Sequence, residues 1–404
     1  MKNRISILLI LILLSLPAAL MAQVIEPQAG DTTWYKTLIP EEKQGLLKNM
    51  SMIANTRFAF RNEFQDGEFT GSRFMMEQFR LEIKGQIHEK VYFRFRDRYT
   101  RAQTSESLDN FSRSTDLAFI RVQVADKWNI SLGKMCADWG AYEFDYNPID
   151  IYEYSDIIEY ADNFLTGVGI SYTASSKNQF TFQALDSRTK KFNDLYGVQP
   201  NFEEGKLPLA LIINWRGSLF DGKFNTIWSY AFHNEAHNKE LDEPAGMNYI
   251  ALGNQLKLGK FTVEYDYKWS QEDLDRSGII SEQVNGGSDY PYALENTLYI
   301  GHWLHLYYRV NQKVNLALVG MVDIAKWKDE EGKNFPDYDE HFRTAYGFVP
   351  TIEYYPFKDL NIRFYANYIG RSYKYSDFAK NHLDVDDKNT GRFAIGFVSP
   401  LGIF

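Results

Sequence analysis

From residue 50 onward, apolar and polar side chains alternate with a period of two. Phe261, Val263, Tyr265, Tyr267 and Trp269 share one face, while Thr262, Glu264, Asp266 and Lys268 share the other. Val91, Phe93 and Phe95 alternate with Tyr92, Arg94, Arg96 and Arg98. Ile362, Phe364, Ala366 and Tyr368 alternate with Arg363, Tyr365 and Asn367. Val168, Ile170 and Tyr172 alternate with glycine, serine and threonine. Successive side chains of a strand point to opposite sides, so these segments predict a sheet with one apolar and one polar face.

The punctuation between strands carries more information than any single strand. Short turns fall at Gln86–Glu89, Ala125–Lys127, Ser175–Asn178, Phe220–Lys223, Leu258–Lys260, Asn311–Lys313 and Pro356–Asp359. Between them fall mostly longer polar connections, near 65–71, 102–114, 136–163, 188–206, 235–246, 272–292, 328–340 and 376–389. Fifteen connections join sixteen strands. An even strand number with short turns at one end and long loops at the other predicts an all-β fold, a transmembrane antiparallel β-barrel. In lipid every backbone polar group must be paired within the protein, and a closed barrel does this without an edge. A soluble sandwich would not keep polar residues on its enclosed face over so many hairpins.

Composition then fits the pattern. The chain has 404 residues, 16% aromatic, with 27 tyrosines, too aromatic for a disordered chain. Its mean hydropathy is −0.40, the average of two unlike faces. One cysteine, Cys136, leaves no intrachain disulfide and no multi-cysteine metal site. A formal charge of −9 gives no support to nucleic-acid binding. Residues 1–22, with Lys2 and Arg4 before the apolar stretch from Ile5 to Leu16, read as a signal peptide cut after Ala22. Its loss leaves 42 basic and 53 acidic residues, a charge of −11. Residues 23–49 read as a short periplasmic extension and 50–404 as the barrel. The terminal Phe404 points to the barrel assembly machinery as a partner. The apolar residues before it are in the opposite phase, and a bulge near Pro400 would shift them.

Residues out of phase with the apolar face should line the lumen. They are Arg57 and Arg61 on the first strand, Arg80 and Lys84 on the second, and Arg94, Arg96 and Arg98 on the third. Arg121 follows on the fourth, Arg363 and Arg371 on the fifteenth, and Arg392 on the sixteenth. With the last strand paired to the first, these strands are neighbours and form one basic arc, with Arg57, Arg94, Arg96 and Arg121 nearest mid-height. A lipid-facing charge costs about 2–4 kcal/mol at the midplane. Permanent charge and a planar donor fork suit arginine to anionic solutes.

The third long connection, 136–163, holds eight acids and no Lys or Arg. Its candidate constriction residues are Asp138, Trp139, Tyr142, Glu143, Asp145, Tyr146, Asp150, Tyr152, Glu153 and Tyr154. A connection this long inside a compact fold is functional or disordered, and its aromatics argue for order. Two readings of the charges stand side by side. The acids face the basic wall across a passage and set up a transverse field, or they pair with wall arginines and pin the loop.

The stretch Leu132–Asp156, LGKMCADWGAYEFDYNPIDIYEYSD, resembles the phosphate-selective porin O/P family of Gram-negative outer membranes. The matching parts are the Leu132-Gly133-Lys134 strand end, the Trp139-Gly140 junction, and the Asn147-Pro148-Ile149-Asp150 turn with its tyrosine-rich tail. The resemblance implies a sixteen-stranded homotrimeric channel passing small anions such as phosphate, with the long third loop folded into the lumen and narrowing it. It implies outer-membrane lipid and lipopolysaccharide as surroundings, and no cofactor. A general porin with a mixed-charge constriction, a barrel enzyme and a structural barrel remain as alternatives.

Signals for enzyme chemistry are thin. His302 and His305, three apart on a strand, point to opposite faces and cannot share an ion. His233 and His237 flank the 235–246 connection and are expected in solvent. Asp384, Asp386 and Asp387 lack a glycine-centred calcium loop. Cys136 reads as a small packed residue. No Gly-x-Ser-x-Gly, Walker loop or His-Glu-x-x-His occurs.

Overall fold

The computed structural model describes residues 49–101, 108–284, 292–328, 337–358, 360–383 and 385–403. The stretch read as a signal peptide (1–22), residues 23–48, Asp384 and Phe404 lie outside the described residues.

Sixteen antiparallel strands form one closed wall. They are β1 (Met50–Gln65), β2 (Glu68–His88), β3 (Val91–Arg98), β4 (Thr115–Ala125), β5 (Trp128–Cys136), β6 (Phe164–Ser175), β7 (Asn178–Asp186) and β8 (Leu209–Leu219). The wall continues with β9 (Phe224–Asn238), β10 (Glu243–Leu258), β11 (Phe261–Leu274), β12 (Glu295–Arg309), β13 (Val314–Trp327), β14 (His341–Tyr354), β15 (Arg363–Tyr375) and β16 (Lys388–Gly402). Each strand pairs with the next, and β1 pairs with β16 from Ile53↔Gly402 to Gln65↔Thr390. A three-residue strand, Phe202–Glu204, adds only to the end of β9.

The two faces separate as the alternation predicts. On β11 Glu264, Asp266, Lys268 and Ser270 are buried inside, while Tyr265 is exposed outside. The outer face is apolar, with Ile120, Phe180, Ile213, Phe348, Ile352 and Ile395 all exposed. Each such side chain stabilises by about 1.5–3 kcal/mol only where lipid covers it.

Six short turns fall where expected and the seventh, Pro356–Asp359, does so up to Lys358, Asp359 lying outside the described residues, but two of the long connections do not exist as loops. The expected connection at 65–71 is a two-residue turn. Asp66 and Gly67 both take positive φ, 50° and 87°, as an Asp-Gly hairpin demands. The strands continue through the rest, past a bulge at Thr70, so β2 is 21 residues long. At 235–246 the turn is only residues 239–242, where the Asn238 side chain accepts from the amides of Glu240 and Leu241. Further corrections concern single residues. The β1–β16 register passes Pro400, opposite Asn55, without a bulge, so the apolar phase stays outward. His233 lies within β9, fully buried, against Trp139 and the carbonyl of Ser187; His237 is near Asp242. His302 and His305 do point to opposite faces, meeting Tyr265 outside and Glu264 inside.

Closure of the sheet predicts heat-modifiable migration. Unboiled protein in a mild-detergent gel should run apart from boiled protein; identical mobility would contradict a closed barrel.

Candidate functional site: a basic wall and the loop bonded to it

The arc residues of β1–β4 share an inward face, but they do not stand free. Arg57 and Arg61 both bind Glu77, the former at 2.7 Å. Arg80, Arg96 and Arg98 surround Asp116 at 3.1, 3.3 and 2.8 Å. Arg94 and Lys84 approach Glu82 at 3.1 and 3.7 Å. Simple alternation sends both Glu77 and Asp116 to the lipid face. Each is instead the extra residue of a β-bulge. Arg57 pairs with Gln78 while Phe58 pairs with Met76, which leaves Glu77 over. Arg96 pairs with Leu117 while Asp97 pairs with Thr115, which leaves Asp116 over. A bulge re-aims the side chain and kinks the strand locally. It turns a carboxylate that lipid would penalise into a counter-ion for two or three guanidiniums.

Arg121 differs from the rest of the arc. It is exposed, and among the described residues it makes no ion pair. Its Nε donates to Ser131 Oγ at 3.2 Å. Its guanidinium lies 5.9 Å from the Tyr92 ring centroid and 5.7 Å from that of Phe119.

The long connection Ala137–Asn163 (L3) carries two one-turn helices, α1 (Tyr142–Asp145) and α2 (Asp156–Glu159). Six of its eight acids pair with bases on the wall. Asp138 and Asp145 hold Arg216 of β8 at 2.9 and 2.8 Å. Glu143 binds Lys268 of β11, both fully buried, and accepts from Ser155 N and Oγ at 2.6 and 2.7 Å. Asp150 binds Arg363, which Glu353 also holds at 2.9 Å. Glu153 meets Arg392 at 3.1 Å. Asp156 binds Arg343 of β14 and Arg371 of β15 together, and Arg371 reaches Asp323 at 3.1 Å. Asp162 accepts from Thr189 instead, and the Glu159 carboxylate has no partner among the described residues.

Backbone and aromatic contacts extend the same attachment. Asp266 accepts the amides of Tyr142 and Glu143 at 3.1 and 2.8 Å, satisfying donors at the start of α1. Arg57 donates to the carbonyl of Ile149 at 3.1 Å and Arg392 to that of Tyr152 at 3.0 Å. Trp139 packs on Tyr249 with centroids 4.4 Å apart. At Gly253 of β10 a Cβ would come within 2.8 Å of Ala141 Cβ and of Asp266 Oδ1, so only glycine allows α1 this close. Burial raises the phenol pKa values of Tyr142 and Tyr146, with Glu264 adding to it. Burial likewise raises that of Tyr152, and pushes Tyr154 up to about 12 against the pull of Arg80 and Arg57. These tyrosines stay neutral; Tyr146 donates to Glu264 at 2.8 Å.

L3 also takes a bond from Ser229 of β9, to the carbonyl of Gly140 at 3.2 Å, and gives one from the Asp138 amide to Gln183 of β7 at 2.7 Å, so it bonds to β1, β7–β9, β11 and β14–β16. Its charge contacts use Arg363, Arg371 and Arg392 from the expected arc. They also use Arg216, Lys268 and Arg343, which sequence reading did not single out. Their signal was present in the alternation: each is a lone cation in the inward phase of its strand.

The Glu143–Lys268 pair gives a direct test. Lys268→Ala leaves a buried carboxylate uncompensated, at a cost of about 3–5 kcal/mol. Urea unfolding should show a lower midpoint. The double replacement Glu143→Leu with Lys268→Met should recover most of it; no recovery would mean the pair is not what holds α1.

In fold the chain is similar to known outer-membrane channels. The outer membrane channel DcaP of Acinetobacter baumannii is 11% identical, covers 86% of this chain and 96% of its own, and superposes with a TM-score of 0.60. The anion-selective porin from Comamonas acidovorans is 8% identical over 87% of this chain and 98% of its own, with a TM-score of 0.57. OmpT of Vibrio cholerae is 10% identical over 87% and 97%, with a TM-score of 0.52. No curated protein matches the chain. The family model described as phosphate-selective porin O and P matches residues 56–397. This fold and family are those of channels rather than enzymes. With a closed sixteen-stranded wall, an apolar outer face and a family match over most of its length, the chain belongs to the phosphate-selective porin O and P family and is a porin of the Gram-negative outer membrane.

Proposed function

We propose that the protein is a passive porin for small hydrophilic solutes that favours small anions, phosphate among them. One observation carries the reading. On β1–β4, seven of the eight arc cations share four carboxylates, Glu63, Glu77, Glu82 and Asp116, and the eighth, Arg121, has none among the described residues. The L3 acids do not cancel this excess, because their ion pairs are with β8, β11 and β14–β16. In this reading the solute passes between L3 and the β2–β4 stretch of the wall, beyond the β1 contact that Arg57 makes with L3, and L3 sets the width. The low-dielectric wall focuses the field of unbalanced charge onto that passage.

A mixed-charge general porin is the second reading. It is favoured by Asp138 and Asp145, which sit on the stem side of L3 with Arg216 between them. As the family implies, the protein would assemble as a homotrimer; OmpT of Vibrio cholerae is described in a trimer form. The signal peptide 1–22, the periplasmic extension 23–49, contact with lipid and lipopolysaccharide, and recognition of Phe404 by the assembly machinery belong to the same proposal.

Reversal potential across a planar bilayer under a potassium chloride gradient separates the two readings. An anion-leaning value is expected, and a cation-leaning value would sink the first reading. Arg94→Ala with Arg121→Ala should lower the chloride preference. Arg96→Ala should act mainly on stability, since Arg96 is buried against Asp116.

A further inference from the structure

The arc holds one guanidinium that is built differently from its neighbours. Every other cation of β1–β4 has a carboxylate at its donor edge. Arg121 has only Ser131 at its Nε, which fixes the fork, and its Nη edge has no partner among the described residues. Two rings flank the guanidinium, with Arg94 and Asp138 within electrostatic reach but not bonded to it. Tyr92 is the register partner of Arg121 across the β3–β4 ladder, and Phe119 is its neighbour two residues back on the same face. The two rings lie 6.4 Å apart, tilted by 51°.

We propose that Arg121, Tyr92 and Phe119 form a subsite for the carboxylate of an aromatic monoanion; the proposal rests on the anion-porin reading above. The chemistry of the donor set points there. A tetrahedral dianion gains most from several cations converging on it. Here Arg94 and Lys84 are committed to Glu82, and Arg80, Arg96 and Arg98 to Asp116. What remains is one planar fork with one charge. That geometry matches a planar carboxylate through two parallel N–H···O bonds. A benzoate-like acid paired in the plane of the fork keeps its own ring beside apolar ring surface, where an acetate offers only a methyl.

The test uses the mature protein refolded into planar bilayers in potassium chloride, with benzoate, acetate or inorganic phosphate added to one side. Benzoate should interrupt single-channel current at about tenfold lower concentration than acetate or phosphate. Arg121→Lys keeps the charge but loses the fork, and should remove the benzoate advantage. Tyr92→Leu should bring benzoate close to acetate. Phosphate blocking as well as benzoate in the unaltered protein, or a benzoate advantage that survives Arg121→Lys, would overturn the subsite. If Arg121→Lys fails to give a heat-modifiable barrel, the order of the three anions on the unaltered protein decides. An anion-leaning reversal potential without benzoate preference defeats the subsite alone, whereas a cation-leaning one defeats the reading beneath it.

Discussion

The hydrocarbon core offers no water to a backbone N–H or C=O, and everything else in this protein follows from that constraint. Sixteen strands close on themselves through the β1–β16 ladder, so the sheet has no edge within the wall. Closure assigns one side of every strand to lipid and the other to the interior. Charge is then forced inward, where the same low-dielectric surroundings make an unpaired group costly. The lumen wall is accordingly a set of ion pairs with a few deliberate exceptions.

Two devices supply the counter-ions. On β1–β4 they come from the wall itself, at the bulges that turn Glu77 and Asp116 inward. On the far side they come from L3, whose acids reach Arg216, Lys268, Arg343, Arg363, Arg371 and Arg392. These buried pairs are not strong evidence of net stabilisation, since desolvation offsets much of the attraction. Their clear consequence is position. Breaking one leaves a charge in a poor solvent, so L3 has one arrangement that satisfies all of them. Of the two roles read for the L3 acids, pinning is the one their ion pairs carry: six of the eight are bonded to wall cations on β8, β11 and β14–β16.

Alternation places the arc residues on one face but leaves out their charge partners. Arg96 illustrates the limit. It lies in the inward phase, as alternation requires, yet it is buried beside Asp116 and is a structural group in the wall. Arg121, from the neighbouring strand and with the same phase, is the exposed one. Phase identifies the side of the sheet; it says nothing of which cation finds a carboxylate.

By itself the sequence determined the alternation, the sixteen strands, the closed barrel and the acidic third connection, because period-two patterning and turn chemistry are local. Asp66-Gly67 was legible too, as a tight hairpin signal within a stretch whose polarity suggested a loop. Only the tertiary structure decided the partners. Bulges depend on how two strands meet, and a one-residue slip sends a side chain to the other face. The pairing of Glu143 with Lys268 spans 125 residues of sequence. The exposure of Arg121 beside Tyr92 likewise exists only once β3 and β4 are in register. Charge balance in a lumen is a property of the assembled wall, where the low dielectric makes each pairing count.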